Sequence, residues 1–184
     1  MKAKFLENKK IAIIAAAAMI FISVLLLGGV KLRRDRDKVQ ELFYSGVEKD
    51  SLSIYNDLAA RAESSQNLVT IAAKYLDANA KEITSVQTAC KSLLELELPS
   101  EMYNANHDLT VAVDALYSKI ADMKLSEEDS RLASKQFTEL SSRNQTISHD
   151  GFNGEASRFN TVMKSFPASL ITAVNGIERV DLFR

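Results

Sequence analysis

The chain has 184 residues, room for one domain of ordinary size with a real core, and its 46% of hydrophobic side chains are unevenly spread. Outside residues 1–30 there remain 19 Lys and Arg against 23 Asp and Glu, a net charge of about −4 that argues against nucleic acid, whose phosphates demand a basic surface. The single cysteine, Cys90, excludes an internal disulfide.

Residues 1–10 form a short basic tail with Lys2, Lys4, Lys9 and Lys10. The segment that follows, Ile11 to Val30, contains no charge, no Pro and one hydroxyl, Ser23. Twenty helical residues rise about 30 Å, the thickness of a bilayer's hydrocarbon core. This predicts one transmembrane anchor, with the lipid bilayer as its partner. A cleaved signal peptide competes with that reading, since the basic start suits one. The apolar run is too long, however, and ends LLLGGV-KLRR with Leu27 where a small residue is wanted. No cysteine follows the run to serve as a lipoprotein acceptor. An uncleaved single-pass anchor is the reading preferred. Four Lys before the span and Lys31, Arg33, Arg34, Arg36 and Lys38 after it leave the orientation undecided.

Residues 31–184 are expected to form one helical domain. Two prolines and six glycines in the whole chain imply long helices. Val39 and Leu42-Phe43 carry the anchor helix onward until Gly46 and the polar VEKDS segment. A second helix is expected from about Leu52 to Leu96. Its seam is Val69, Ala72, Leu76, Asn79, Ile83, Val86, Cys90 and Leu93, in alternating steps of three and four. Pro99 suits the first turn of a third helix, whose seam is Leu109, Val113, Leu116, Ile120 and Met123. Ser126 opens a fourth with a Ser-x-x-Asp capping box and acidic residues in its first turn. The fourth helix carries Ala133, Phe137, Leu140, Asn144 and Ile147, slips at Gly151/Phe152, and resumes as Phe152, Ala156, Phe159, Met163 and Phe166. Phe152-Asn153 and Phe159-Asn160 stand seven residues apart, and Phe166 follows after seven more. Residues at that spacing nearly overlie one another on a helix, so the three Phe read as a buried stripe. The amides Asn79, Asn153 and Asn160 read as inter-helix hydrogen bonds that set register, with Asn67, Asn104 and Asn106 near helix ends or turns. The alternative is a polar groove lined with amides.

Signatures of chemistry are missing. There is no phosphate-binding loop, no dinucleotide fingerprint and no His-Glu-x-x-His. The residues three before His107 and His149 are Asn104 and Thr146, not the Glu of a bundle di-iron site. Ser148-His149-Asp150 is a triad in letters only, because consecutive helical residues point about 100° apart. No catalytic residue, cofactor or metal ligand is predicted, and the protein is not expected to be an enzyme.

Leu58 and Arg61 are followed by Asn67-Leu68-Val69 and Tyr75, then by the Phe152-Asn153 and Phe159-Asn160 pair, and last by Phe166-Pro167, Leu170-Ile171, Gly176 and Phe183. In that order these residues resemble the asparagine-leucine-valine segment, the aromatic-Asn pair and the closing stretch of the LemA family. The resemblance covers about residues 33–184. Gln66 stands where the family has Pro, Ala60 replaces a basic residue, Phe replaces Tyr in both aromatic-Asn pairs, and Trp is absent, so the chain looks like a divergent member. The resemblance implies an all-α fold: an antiparallel up-and-down four-helix bundle behind one transmembrane helix. It brings no established enzymatic activity or cofactor. Arg61, Asn67, Asn153, Asn160, Phe166 and Pro167 are the candidate motif or groove residues.

Two function classes follow. The first is an interaction or scaffold module at the bacterial cell membrane, with a protein partner whose identity is open. The second is binding of a small or lipid-derived ligand between the helices, which a pocket lined by Asn153, Asn160 or Asn67 would favour. A hydrolase with unrecognised carboxylates ranks last. Gly28-Gly29 at the membrane edge admits a homo-oligomer, although beyond the Ala15–Ala18 run no small-xxx-small face emerges.

Overall fold

The computed structural model of the protein describes residues 9–47 and 52–184. Residues 1–8 of the basic tail and positions 48–51 after the first helix lie outside the described residues. Among the described residues there are seven α-helices and no strand: α1 (Lys9–Ser45), α2 (Ile54–Ala72), α3 (Lys81–Glu95), α4 (Pro99–Ala121), α5 (Glu127–His149), α6 (Phe152–Lys164) and α7 (Ala168–Asn175).

The helix ends follow local chemistry. Gly46, at a φ of 81° open to glycine, stops α1. Ser53 caps α2 by accepting from the Asn56 N–H at 3.1 Å. Pro99 opens α4 in its first turn, where its missing N–H leaves no bond unmade. Ser126 caps α5, its hydroxyl accepting from the Asp129 N–H at 3.1 Å. The expected capping box is half present, since the Ser126 N–H donates to the Tyr75 hydroxyl at 3.1 Å and not back to Asp129.

The long second helix is not. Residues Lys81 onward form a separate helix, because Asp77 Oδ1 accepts from the Asn79 N–H at 2.7 Å and turns the backbone. Val69 and Ala72 are buried on α2 and Ile83, Val86, Cys90 and Leu93 on α3, whereas Asn79 is exposed in the turn. The seven-residue seam belongs to two helices. A second break separates α5 from α6 where the slip was expected: Asp150 Oδ1 accepts from the Phe152 N–H at 2.7 Å, just beyond α5.

The chain forms two compact units. One comprises the N-terminal stretch up to Val39 together with Ala156–Val180. Its part of α1 is long and apolar enough to cross a membrane, and its large side chains find no protein cover: Ile14 is 68% and Leu27 72% exposed. In the same unit α7 lies against α1 so closely that a Cβ added at Gly28 would sit 2.8 Å from Ile171 Cδ1.

The other unit comprises Gln40–Glu155 and Asp181–Arg184. Here α2 packs on α5 and α3, and α3 packs on α4. Between α4 and α5 the contact is brief, so one side of this helical group stands open. Leu58, Leu68, Ile83, Leu93, Leu109, Leu116 and Ile120 are buried in its core. At one end Phe43 meets Phe152 edge-on at 5.3 Å and Phe183 at 5.9 Å.

Candidate functional site

Arg61, on the buried face of α2, is 2% exposed and is among the largest fully buried side chains. Its Nη1 donates to the Leu140 carbonyl and its Nη2 to Thr110 Oγ1, both at 2.8 Å. Among the described residues its Nε has no hydrogen-bond partner. A guanidinium in such a place usually faces a carboxylate. One lies a turn away at Asp57, which is buried, but Asp57 Oδ1 is taken by Arg143 Nη1 at 2.8 Å, and Glu139 holds Arg143 Nε at 2.7 Å. Those two carboxylates push the Arg143 pKa up. Arg61, bonded among the described residues only to neutral oxygens, goes the other way: burial lowers its pKa to about 10, against a partial opposing pull from Asp114. Keeping this charge inside costs on the order of 3 kcal/mol by that measure.

The open side of the helical group leads to it. A cleft of about 460 Å³ between α4 and α5 has Arg61 as its floor, Thr110, Val113 and Asp114 on one wall, and Leu140, Ser141 and Asn144 on the other. Its size falls within the range of small-molecule sites. Asn106, Thr110 and Asp114 recur every four residues on α4, and so share a face. The Thr110 hydroxyl also donates to the Asn106 carbonyl at 2.9 Å, which aims its oxygen at Arg61. Stacked rings of Tyr117 and Phe137, 4.0 Å apart, join the two helices at the edge of the cleft, which Phe137 helps to line. A second cleft of about 430 Å³ shares Thr110 and Asn144 with the first and adds Asn153, His107 and Arg184. Between them Asn106 Nδ2 donates to Asn144 Oδ1 at 3.2 Å, while the buried Asn106 Oδ1 has no partner among the described residues.

The aromatic-Asn repeat has another task. Asn153 Nδ2 donates to the Phe183 carbonyl at 2.8 Å, and the Phe183 N–H donates back to Asn153 Oδ1 at 2.9 Å. Asn160 treats Val180 identically, donating to its carbonyl at 2.8 Å and accepting from its N–H at 2.9 Å. Each amide thus pairs with a peptide unit of the non-helical tail as a neighbouring strand would. Seven helical residues advance about 10.5 Å and three extended residues about 10 Å, so the repeat keeps step with the tail. The amides bind a tail, not a second helix.

The remaining sequence candidates lie apart. Asn67 is exposed on α2 and lines neither cleft. Phe152 is fully buried and Phe159 partly so, but Phe166 is 83% exposed beyond the end of α6, where it precedes Pro167 through a cis peptide. The expected stripe of three buried Phe is one buried ring, one half-buried ring and one on the surface. The reason is that α6 stops at Lys164, two residues too soon for the third heptad step. Cys90 is buried, and burial pushes its thiol pKa up.

The sequence model of the LemA family matches residues 51–184, most of the chain and all of its helices from α2 onward. The chain belongs to the LemA family. No curated protein and no solved structure matches it. Within this LemA protein, the clefts were not drawn by any motif. Asn106, Thr110 and Asp114 form a polar row beside the apolar seam of α4, and that row was the available signal.

Proposed function

We propose that this LemA protein is a membrane-anchored binding module. Its α1 fixes it in the bacterial cell membrane as a single-pass anchor, and α2 to α5 form an antiparallel four-helix bundle that takes a small carboxylate- or phosphate-bearing ligand in the Arg61 cleft. The observation that carries this is the buried Arg61 guanidinium, which lines an open cleft and, among the described residues, has an unpartnered, enclosed Nε and no carboxylate hydrogen-bonded to it. A bound anion offsets the cost of that charge, and bidentate geometry suits guanidinium to such groups. The short connections between consecutive helices support the bundle topology. The reading assigns binding without catalysis.

A scaffold role has its own support. A groove of about 690 Å³ between α3 and α4 is lined by small side chains, among them Ser85, Ala89 and Ala112, with Val111 exposed at its edge. A helix of a protein partner would fit there.

The ligand reading is tested with succinate as probe, on the full chain in lipid nanodiscs at matched ionic strength. Thermal unfolding of the wild type is expected to shift upward with succinate, as mass action requires for a ligand of the folded state. Arg61→Met, which fills similar volume, is expected to fold and lose the shift. Equal shifts in both proteins, or none in either, would refute the cleft.

A further inference from the structure

We infer that α7, with Phe166 before it, is a second membrane-contacting element whose outer face lies against lipid; this rests on the reading of α1 as an anchor. The contacts of α7 set its level along α1. Asn175 Nδ2 donates to the Leu25 carbonyl at 3.1 Å, Ile171 meets Gly28, and a Cβ at Gly29 would collide with the Asn175 amide. Leu25 lies five residues inside the end of the apolar segment at Val30, about 7 Å deep at the helical rise. An element that touches α1 there is at the depth of the acyl chains' outer part.

The chemistry of α7 fits that level. The Asn175 amide makes two donations, to Leu25 O and at 2.8 Å to Ile171 O, so its N–H groups do not call for water. Arg33 Nη2 reaches down to the Asn175 carbonyl at 3.1 Å, as a basic residue at a membrane edge does when its stem lies along apolar surface. The inner side of α7 is used up by Ile171 and Thr172, both buried. Its outer side presents Leu170 at 37% exposure and Val174 at 60%, one helical step of four apart, and Phe166 at 83% extends that row in the turn just before the helix. In water such a row is a liability. Beside a membrane anchor and at its depth, it continues the apolar surface of the span, and an exposed aromatic at the border is what an interfacial element carries.

The natural chain has no Trp, so single-Trp variants report local surroundings without background. Phe166→Trp and, separately, Val174→Trp are placed in the full chain, with Phe21→Trp as reporter of the span and Val111→Trp as a water-exposed reference. Each is reconstituted in phosphatidylcholine vesicles with and without brominated acyl chains, and far-ultraviolet circular dichroism checks the fold. The expected result is blue-shifted emission at 166 and 174 that loses most of its intensity to brominated lipid, as at 21. Emission at 166 and 174 like that at 111, with 21 still quenched, overturns the inference and leaves the anchor standing. Blue emission at 166 that brominated lipid does not touch also overturns it, since a protein surface would then be the cover. Absence of quenching at 21 removes the anchor reading and this inference with it.

Discussion

Replacing Asn153 with Ala separates its clamp on the tail, the paired bonds to Phe183, from everything else that α6 does. Position 153 is partly buried, and its amide makes the two bonds to Phe183 described above. Without it the tail has two choices. It can stay, leaving the Phe183 N–H and carbonyl without partners at about 1–3 kcal/mol for each unmade bond. Or it can leave, giving up a ring that is 5% exposed and stands edge-on to Tyr103 at 5.3 Å, at about 1.5–3 kcal/mol. The molecule takes the cheaper route, so the loss should be about 2–3 kcal/mol. For a protein of this size that is roughly 4–12 °C in Tm. The assay is thermal unfolding of the full chain in detergent by circular dichroism, with carboxypeptidase digestion to report whether the tail has left. A chain ending at Leu182 should lose a similar amount, and Asn153→Ala added to it should cost little more, because the two changes remove one interaction. Additive losses, or an unchanged Tm with a protected tail, would refute the clamp.

Asn160→Leu is expected to keep the helical content while losing about 1–3 kcal/mol of stability, since Val180 is 2% exposed and its N–H and carbonyl lose their partners; unaltered unfolding and proteolysis would count against it. Asp129, bonded at 2.6 Å to both Lys74 Nζ and the Tyr75 hydroxyl, has its pKa lowered first by Lys74 and then by Tyr75. A carboxylate with a lowered folded-state pKa contributes stability that is present above its unfolded pKa of about 4 and is lost as pH falls through the folded value. Asp129→Asn should therefore flatten the acid limb of the stability profile below about pH 4 and leave its shape unchanged through the neutral range, while at high pH it also removes the support this carboxylate gives to charged Lys74; an acid limb identical to wild type would contradict this. Gly29→Ala forces Asn175 aside and should destabilise by about 1–3 kcal/mol as overpacking, read as faster cleavage near α7 by added protease. Gly28→Ala meets only the movable end of Ile171 and should be milder.

Much of the architecture was legible because it rests on local rules. The apolar run, the first-turn Pro99 and the Ser126 cap each act within a few residues, and each stands where the sequence reading put it. The errors came where two rules competed. Alternating steps of three and four passed unbroken through Asp77 and Asn79, but a side chain that bonds the backbone two residues on outweighs periodicity there. Seven-residue spacing of Phe and Asn fitted a helix seam, yet the same interval also matches a row of amides along an extended strand. Spacing on one element cannot say what lies opposite it. Arg61 was singled out through the family likeness. Its neighbours Thr110, Asp114 and Asn144 come from other helices and meet it only once the chain is folded. That the Asp57 carboxylate would be claimed by Arg143 depends on the pairing of α2 with α5, which no local pattern encodes.

The ring cluster of Phe43, Phe152 and Phe183 also has a bearing on synthesis. Phe43 leaves the ribosome 140 residues ahead of Phe183, yet their centroids end 5.9 Å apart. While the intervening helices emerge and pair, Phe43 has one face with nothing native to cover it. Closing so wide a loop is the slow kind of step in folding, and an exposed aromatic is a target for holding factors during the wait. Local helix pairing can run ahead on the nascent chain; this end of the helical group closes only once residue 183 has emerged.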